Sequence, residues 1–333
     1  MLNLAAFLFI FTTLFIVSAI RLDVGQDYGR YVWFMHMVVY DGHVPTEIGF
    51  NVLVKLIYWL FGYGNFLIVF AVIAFLTIMI FLWTLYRDSE NFWFSFFLFM
   101  SFGYYFQSFS TVRYYLAVAV ALYAIPYVLK KQWLNFIGLI LLGSTFHKSL
   151  LLVIPLYFLA SLKWKKWMVV IMALFLTTFF YLQDFYLRAM VYLYPSYRDT
   201  EFLEGGTSII NIIRCSGILV FSLIYYQEAI KDNQRNQFYF YCNIGAFILY
   251  TCCSFIPVIS RIGYLLTVTH IFFLPAIVLR IKDKRQKTFF AAAIILAAIW
   301  YFAMFLYKAP DYGVRLIPYQ TFLFHEMTFT WAN

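Results

Sequence analysis

Nine stretches of this chain run for about twenty residues each on apolar side chains with almost no charge: 1–20, 64–86, 91–110, 111–129, 167–184, 208–227, 237–257, 261–280 and 288–307. About twenty such residues are what a helix needs to cross the hydrocarbon core of a bilayer. Backbone in that medium must satisfy its own hydrogen bonds, which favours helices. The fold class that follows is all-α, a polytopic membrane protein. Composition agrees, with 64% hydrophobic residues, 12% charged and a mean hydropathy of +0.81. A soluble domain carries about twice that charged share. The first stretch lacks a basic leader, so it reads as an uncleaved helix although Val17-Ser18-Ala19 resembles a cleavage site. The four cysteines lie in apolar runs without metal-ligand spacing and read as inert buried thiols.

The ambiguous region is 132–161, where GSTFHKS interrupts an apolar run. Topology decides how to read it, because basic residues in short loops mark the cytoplasmic side. One crossing would split the basic loops between the two faces. A hairpin of two short segments, 133–146 and 149–161, gathers them all on one side and puts His147 and Lys148 at an outer tip. Each arm is about 20 Å long as a helix, shorter than the roughly 30 Å hydrocarbon core. The tip is therefore expected below the outer surface.

The expectation is about eleven membrane segments in a single membrane domain, 1–333, with the N-terminus inside and the C-terminus outside. Two outer loops stand out: 21–61, with a helix near 50–61 too short to span and lying in the interface, and 185–207. Thirteen basic residues and five acids then lie inside, against eleven and ten outside. The net charge of +9 is a topology signal and gives no reason to expect a nucleic-acid partner. Nine of the thirteen inner bases are Lys, whereas eight of the eleven outer ones are Arg. Topology needs only charge; Arg adds a planar fork of donors suited to phosphate and carboxylate.

Among the outer arginines, Arg113 and Arg261 lie at tight turns between apolar runs. Each reads either as a snorkelling or internally paired group or as an anion clamp facing a cavity. His147 reads as a helix cap or as a donor or base toward a ligand. The stretch 21–61 is the wettest in the chain and holds Asp23, Asp27, Asp41 and Glu47. Asp23 and Asp27 share a face if that segment is helical; one reads either as a partner of Arg21 or Arg30 or, for Asp27, as a substrate contact or base. Tyr28 and Tyr31 beside Asp27 make an arrangement of ring faces and carboxylate that suits a sugar. Glu47 reads either as the cap of a helix starting near Ile48 or as a reacting carboxylate. Loop 185–207 mixes Tyr192, Tyr194 and Tyr197 with Arg188 and Arg198, an interfacial belt or a lid over a glycan. The C-terminal tail is amphipathic and is assigned no chemistry.

In order along the chain these residues form R-x-x-x-G-x-D-Y-x-x-Y (Arg21, Gly25, Asp27, Tyr28, Tyr31) and E-x-G-F (Glu47, Gly49, Phe50). R-x-x-L-A (Arg113, Leu116, Ala117), F-H-x-S (Phe146, His147, Ser149) and R-I-x-Y (Arg261, Ile262, Tyr264) follow. The ordered set resembles the EpsG-type, Wzy-like bacterial polysaccharide polymerases over about residues 1–320. It departs from their E-P-G-F at Ile48. The resemblance implies a GT-C-like membrane glycosyltransferase of the bacterial cytoplasmic membrane, acting at the outer face; no cofactor is expected, and without a paired DxD or His cluster the sequence signals a metal site only weakly. Its substrates would be undecaprenyl-diphosphate-linked oligosaccharide repeat units of an O-antigen, capsule or exopolysaccharide. The growing glycan would move from its carrier to the non-reducing end of another unit, and a chain-length regulator and a flippase would be its companions. On that reading Arg113, Arg261, Arg21 and Arg214 hold the pyrophosphate, and Tyr28, Tyr31 and Arg198 hold the glycan. Glu47, Asp27 and His147 are the candidate bases, unranked. Two other readings are a lipid-linked oligosaccharide flippase and a membrane O-acyltransferase. The first calls for internal repeats that the sequence lacks, the second for a cytoplasmic histidine where His147 is expected outside.

Overall fold

The computed structural model describes residues 4–40, 44, 46–193, 208–256, 259–311 and 314–325. Among them the regular elements are helices, joined by turns, with one isolated bridge between Arg21 and Thr321. The helices are α1 (Leu4–Ala19), α2 (Tyr28–Tyr40), α3 (Ile48–Phe61), α4 (Phe66–Asp88), α5 (Phe92–Ser101), α6 (Tyr104–Gln107), α7 (Val112–Leu129) and α8 (Trp133–Ser144). After a 3-10 turn at Lys148–Leu152 come α9 (Val153–Ser161), α10 (Lys166–Tyr181), α11 (Gln183–Leu193), α12 (Ile209–Ile224), α13 (Gln234–Cys252), α14 (Ile259–Thr267), α15 (His270–Arg280) and α16 (Lys284–Tyr307).

By length and composition four segments are able to cross a membrane: Phe66–Asp88, Val112–Leu129, Ile259–Arg280 and Lys284–Tyr307. A fifth is the pair α10 and α11, bent by 84°. The other apolar helices are shorter. The expected span 91–110 is not one helix. It breaks at Phe102–Gly103, where Gly103 takes the left-handed conformation (φ +77°) that ends α5 and starts α6. The stretch 21–61 is also more ordered than a wet loop, since α2 and α3 occupy most of it.

The chain divides into two compact units, each with its own packing. The first comprises 1–124, 137–151 and 284–333. Here α1 lies along α4 through Phe11 and Phe15, whose rings meet Phe75 edge-on at 5.4 and 5.8 Å. The fully enclosed Tyr28, Met35, Phe50, Val54 and Val69 join α2, α3 and the start of α4 in one cluster. In a bilayer the surrounding solvent is as apolar as these side chains, so close van der Waals packing sustains the arrangement.

One end of this unit is sewn by backbone hydrogen bonds from the C-terminal tail. Leu22 N–H donates to Gln320 O (2.9 Å), Gly25 N–H to Arg315 O (2.7 Å) and Phe322 N–H to Ile20 O (3.2 Å). Gly25 is required there. Its φ is +105°, and a Cβ would stand 2.5 Å from the Phe109 carbonyl oxygen. Asp23 and Arg315, both left-handed, pair through their side chains. Asp23 is thus in a turn, so the condition for it and Asp27 to share a helical face is not met, and Asp23 pairs with Arg315. The other end of the unit is marked by Arg87, bonded to Asp88 and to the Tyr123 carbonyl at 3.0 Å. From Phe66 to Arg87 the helix rises about 32 Å, the thickness of a hydrocarbon core. The tail, the 109–113 turn and the 145–149 tip share the first end.

The second unit comprises 125–136 and 152–283. The arms of the expected hairpin meet at its base: Trp133 against Phe158 at 5.6 Å and Phe136 against Tyr157 at 6.3 Å. In the first unit Gly143 abuts Leu150 near the tip, where a Cβ would also stand 3.0 Å from Val120. The region 133–161 therefore folds back on itself as two short segments with His147 at the turn. The helices α9, α12, α14 and α15 pack around α13. Tyr157 Oη donates to Leu265 O (3.0 Å), Asn243 Nδ2 donates to Cys215 O (3.1 Å), and Gly263 makes room for the Tyr250 ring.

Burial raises the Asp23 carboxyl above its ordinary value of 3.8, and the Arg315 charge only partly opposes that. A carboxyl that holds its proton more tightly folded than unfolded adds stability below its unfolded pKa, and that contribution is lost as pH rises through the folded value. The unfolding temperature in detergent is expected to fall across that window in the wild type. Asp23→Asn is expected to flatten the step, as thermal melts taken from pH 3.5 upward would record.

Candidate functional site

Three sequence-distant elements of the first unit meet at its tail-bearing end. The first is the start of α3. Glu47 occupies the N-cap position with extended backbone, yet its side chain makes no capping bond. The carboxylate reaches away: Oε2 pairs with Arg113 Nη1 at the start of α7, and Oε1 accepts the Lys148 amide at 3.1 Å. The expected helix cap is therefore a cross-brace between two other elements. Its position at a helix N-terminus still favours the negative charge. The side chains of Arg113 and Glu47 are only 11% and 18% exposed, so the pair is shielded from solvent.

The spacing E-x-G-F has a local reason. Gly49 N–H donates to Thr145 O at 2.7 Å, and a Cβ on Gly49 would lie 2.8 Å from that oxygen. Only glycine lets α3 approach the hairpin tip so closely. Phe50, fully buried, lies under the Arg113 guanidinium at 5.3 Å, and Tyr31 lies against it at 5.4 Å. Two rings thus shelve the cation while Glu47 holds it from one side. The Arg113 Nε–H is enclosed and has no hydrogen-bond partner.

His147 completes the node at the hairpin tip. Its ring meets the buried Tyr114 ring edge-on at 5.3 Å, and its Nδ1 lies 2.7 Å from Ser149 Oγ. That hydrogen bond fixes the orientation of the imidazole. Lys148 is exposed. The node therefore pairs a shelved guanidinium with a carboxylate, and that carboxylate holds the backbone amide of the residue next to His147. Such a set holds an anion and accepts a proton.

The other expected site residues lie elsewhere. Arg21 is 1% exposed, its guanidinium 5.2 Å from the Phe70 ring and 4.9 Å from Phe109, donating to Ser18 Oγ at 3.0 Å. Burial pulls it down to about 10, still cationic at neutral pH. A pyrophosphate has no access to it, so Arg21 is a framework residue. Tyr28 and Tyr31 are likewise core: Tyr28 stacks on Phe70 at 4.4 Å and Tyr31 serves as the Arg113 shelf. Their enclosure corrects the expectation that they face a sugar. Asp27 precedes α2, its carbonyl accepting Tyr31 N–H at 2.9 Å, at the same end of the unit as the node. Arg261 (first turn of α14) and Arg214 (α12) are half-buried in the second unit. Arg198 and most of the 185–207 loop lie outside the described residues.

Sequence reasoning misses the Phe50 and Tyr31 shelf and the tail. The shelf is detectable: Tyr28, Tyr31, Val32 and Met35 recur at helical spacing and mark a buried face. The tail pairing spans some three hundred residues and has no local signal.

A family model described as the EpsG family matches residues 4–321. No curated protein and no solved structure matches the chain.

Removing one partner of a shielded ion pair leaves the other charge uncompensated and costs about 3–5 kcal/mol, far more than removing both. Arg113→Ala and Glu47→Ala are each expected to lower stability in detergent strongly, and the double variant by much less than their sum. Chemical denaturation of all four proteins measures the coupling; additive losses would mean the pair is not structural.

Proposed function

The chain belongs to the EpsG family, and from that membership and the chemistry of the node we propose that it is a polysaccharide polymerase, a membrane glycosyltransferase. The single observation that carries this reading is the meeting of Glu47, Arg113 and His147 from three separate motifs. The chain would act as one membrane domain of about eleven segments in the bacterial cytoplasmic membrane, GT-C-like, with the node at the outer face. No nucleotide sugars are available there, so the donor is a glycan on undecaprenyl diphosphate.

The reaction forms a bond from an acceptor hydroxyl to the donor's anomeric carbon and breaks that carbon's bond to phosphate. Negative charge develops on the departing diphosphate. Arg113 stabilises it with its cationic guanidinium, whose side chain keeps 11% exposure. The diphosphate competes with Glu47 for the guanidinium, which frees the carboxylate as the cation turns to the leaving group. The acceptor's proton goes to Glu47 or His147, both in the node, with Asp27 as the third candidate. Arg261 and Arg214 are further cations for the lipid-linked diphosphate, and Arg198 a contact for the glycan. A chain-length regulator and a flippase are the expected companions.

Purified protein given purified lipid-linked repeat units is expected to produce a ladder of polymers on a gel. Arg113→Ala is expected to abolish the ladder, and Glu47→Gln and His147→Ala to reduce it at least about a hundredfold, the scale of a lost acid–base group. A ladder untouched by all three would remove the node from the chemistry. Sidedness has its own check. Lys148→Cys in intact cells should react with a membrane-impermeant maleimide from outside. Labelling only from the cytoplasmic side contradicts an outer-face reaction.

A further inference from the structure

The helix α2 has two aromatic faces with different fates. One buries Tyr28, Tyr31, Val32 and Met35. The other presents Trp33, His36 and Tyr40 at helical spacing, with Trp33 47% and Tyr40 75% exposed. Tyr63, in the turn after α3, closes this second face. Its ring centroid lies 5.8 Å from His36, 5.2 Å from Tyr40 and 5.3 Å from Tyr58, the last two edge-on. Tyr63 Oη and His36 Nδ1 are 2.9 Å apart. Behind them Tyr58 is 6% exposed, and its hydroxyl is enclosed with no hydrogen-bond partner. An enclosed phenol left unpaired is costly and calls for an explanation.

Burial lowers the His36 imidazole from its ordinary value, which disfavours its cationic form. Burial first, and then its hydrogen bond to Tyr40, push the Tyr63 phenol up to about 12, and burial raises Tyr58 as well. The cluster thus offers ring faces, phenol hydroxyls and an imidazole, with no Lys or Arg among its members. An anionic lipid headgroup calls for a fixed cation. A pyranose calls for what is here: flat rings for its C–H face and neutral partners for its hydroxyls. From Glu47 to Tyr58 is eleven helical steps along α3, about 17 Å.

We propose that Trp33, His36, Tyr40, Tyr58 and Tyr63 form a saccharide-binding subsite that holds a sugar of the acceptor glycan one helix length from the Glu47–Arg113–His147 node. The proposal rests on the polymerase reading for the identity of the glycan, while the binding itself is testable apart from catalysis.

The probe is the soluble oligosaccharide released from the lipid-linked repeat unit by mild acid, with saturation transfer from purified protein to sugar C–H protons as the readout. Wild type is expected to give transfer. The double variant Trp33→Ala/Tyr40→Ala, which alters exposed side chains only, is expected to bind about tenfold more weakly or not at all, and Tyr63→Phe measurably more weakly. Arg113→Lys, which keeps a cation beside Glu47, is expected to keep the signal. In the ladder assay the double variant should raise the half-saturating acceptor concentration about tenfold with little change in maximal rate. No transfer from wild type, equal binding by the double variant, or displacement of the sugar by glycerol phosphate at equal concentration would each overturn the subsite. Binding that behaves as expected with no wild-type ladder would uphold the subsite and sink the polymerase reading.

Discussion

The Glu47 carboxylate is the hinge of the first unit. It sits at the start of one helix and holds the guanidinium at the start of a second and the backbone amide at the tip of a hairpin. In water such a bond contributes little. Shielded as this one is, the Coulomb term is several times stronger, and so is the penalty for an unpaired charge. The surrounding elements are shaped to that requirement. Gly49 has no side chain so that α3 reaches Thr145, and Gly143 has none so that the hairpin closes on Leu150. Phe50 and Tyr31 keep the guanidinium flat against α2 and α3.

Much of this arrangement is legible in the amino-acid sequence. The hairpin at 133–161 follows from two facts alone, the position of the basic loops and the interruption GSTFHKS, and the ring pairs Trp133–Phe158 and Phe136–Tyr157 show the two arms meeting. Arg113, Glu47 and His147 are legible because charge is so costly in an apolar chain that each occurrence needs a reason. The number of spans is less legible. Left-handed Gly103 divides one apolar run into two helices, and a run of apolar residues carries no sign of that break.

The misplaced site residues share one physical cause. Residue type marks Arg21, Tyr28 and Tyr31 as groups with donors and ring faces, yet each is enclosed. A polar atom inside an apolar protein is as often a brace as a reagent, because helix ends and turns need partners wherever lipid supplies none. Arg21 satisfies the end of α1 through Ser18, and its two flanking rings substitute for water. The partners that enclose it come from α4, from the 109 turn and from a tail almost the length of the chain away, so no local pattern announces its role.

Enclosure separates two populations within the motifs. Gly25, Tyr28, Phe50, Leu116 and Ala117 are enclosed and set distances between elements. Glu47, Arg113 and His147 are among the members that keep some exposure; Glu47 pairs with Arg113 and holds the amide next to His147. A motif match alone weights both populations equally, whereas burial sorts them. The sorting also has a mechanical consequence. An arginine braced by a carboxylate of its own protein is rigid before substrate arrives, and a rigid cation loses little entropy when a ligand's oxygens replace that carboxylate. The same pair that stabilises the resting unit therefore leaves the guanidinium with few orientations to lose.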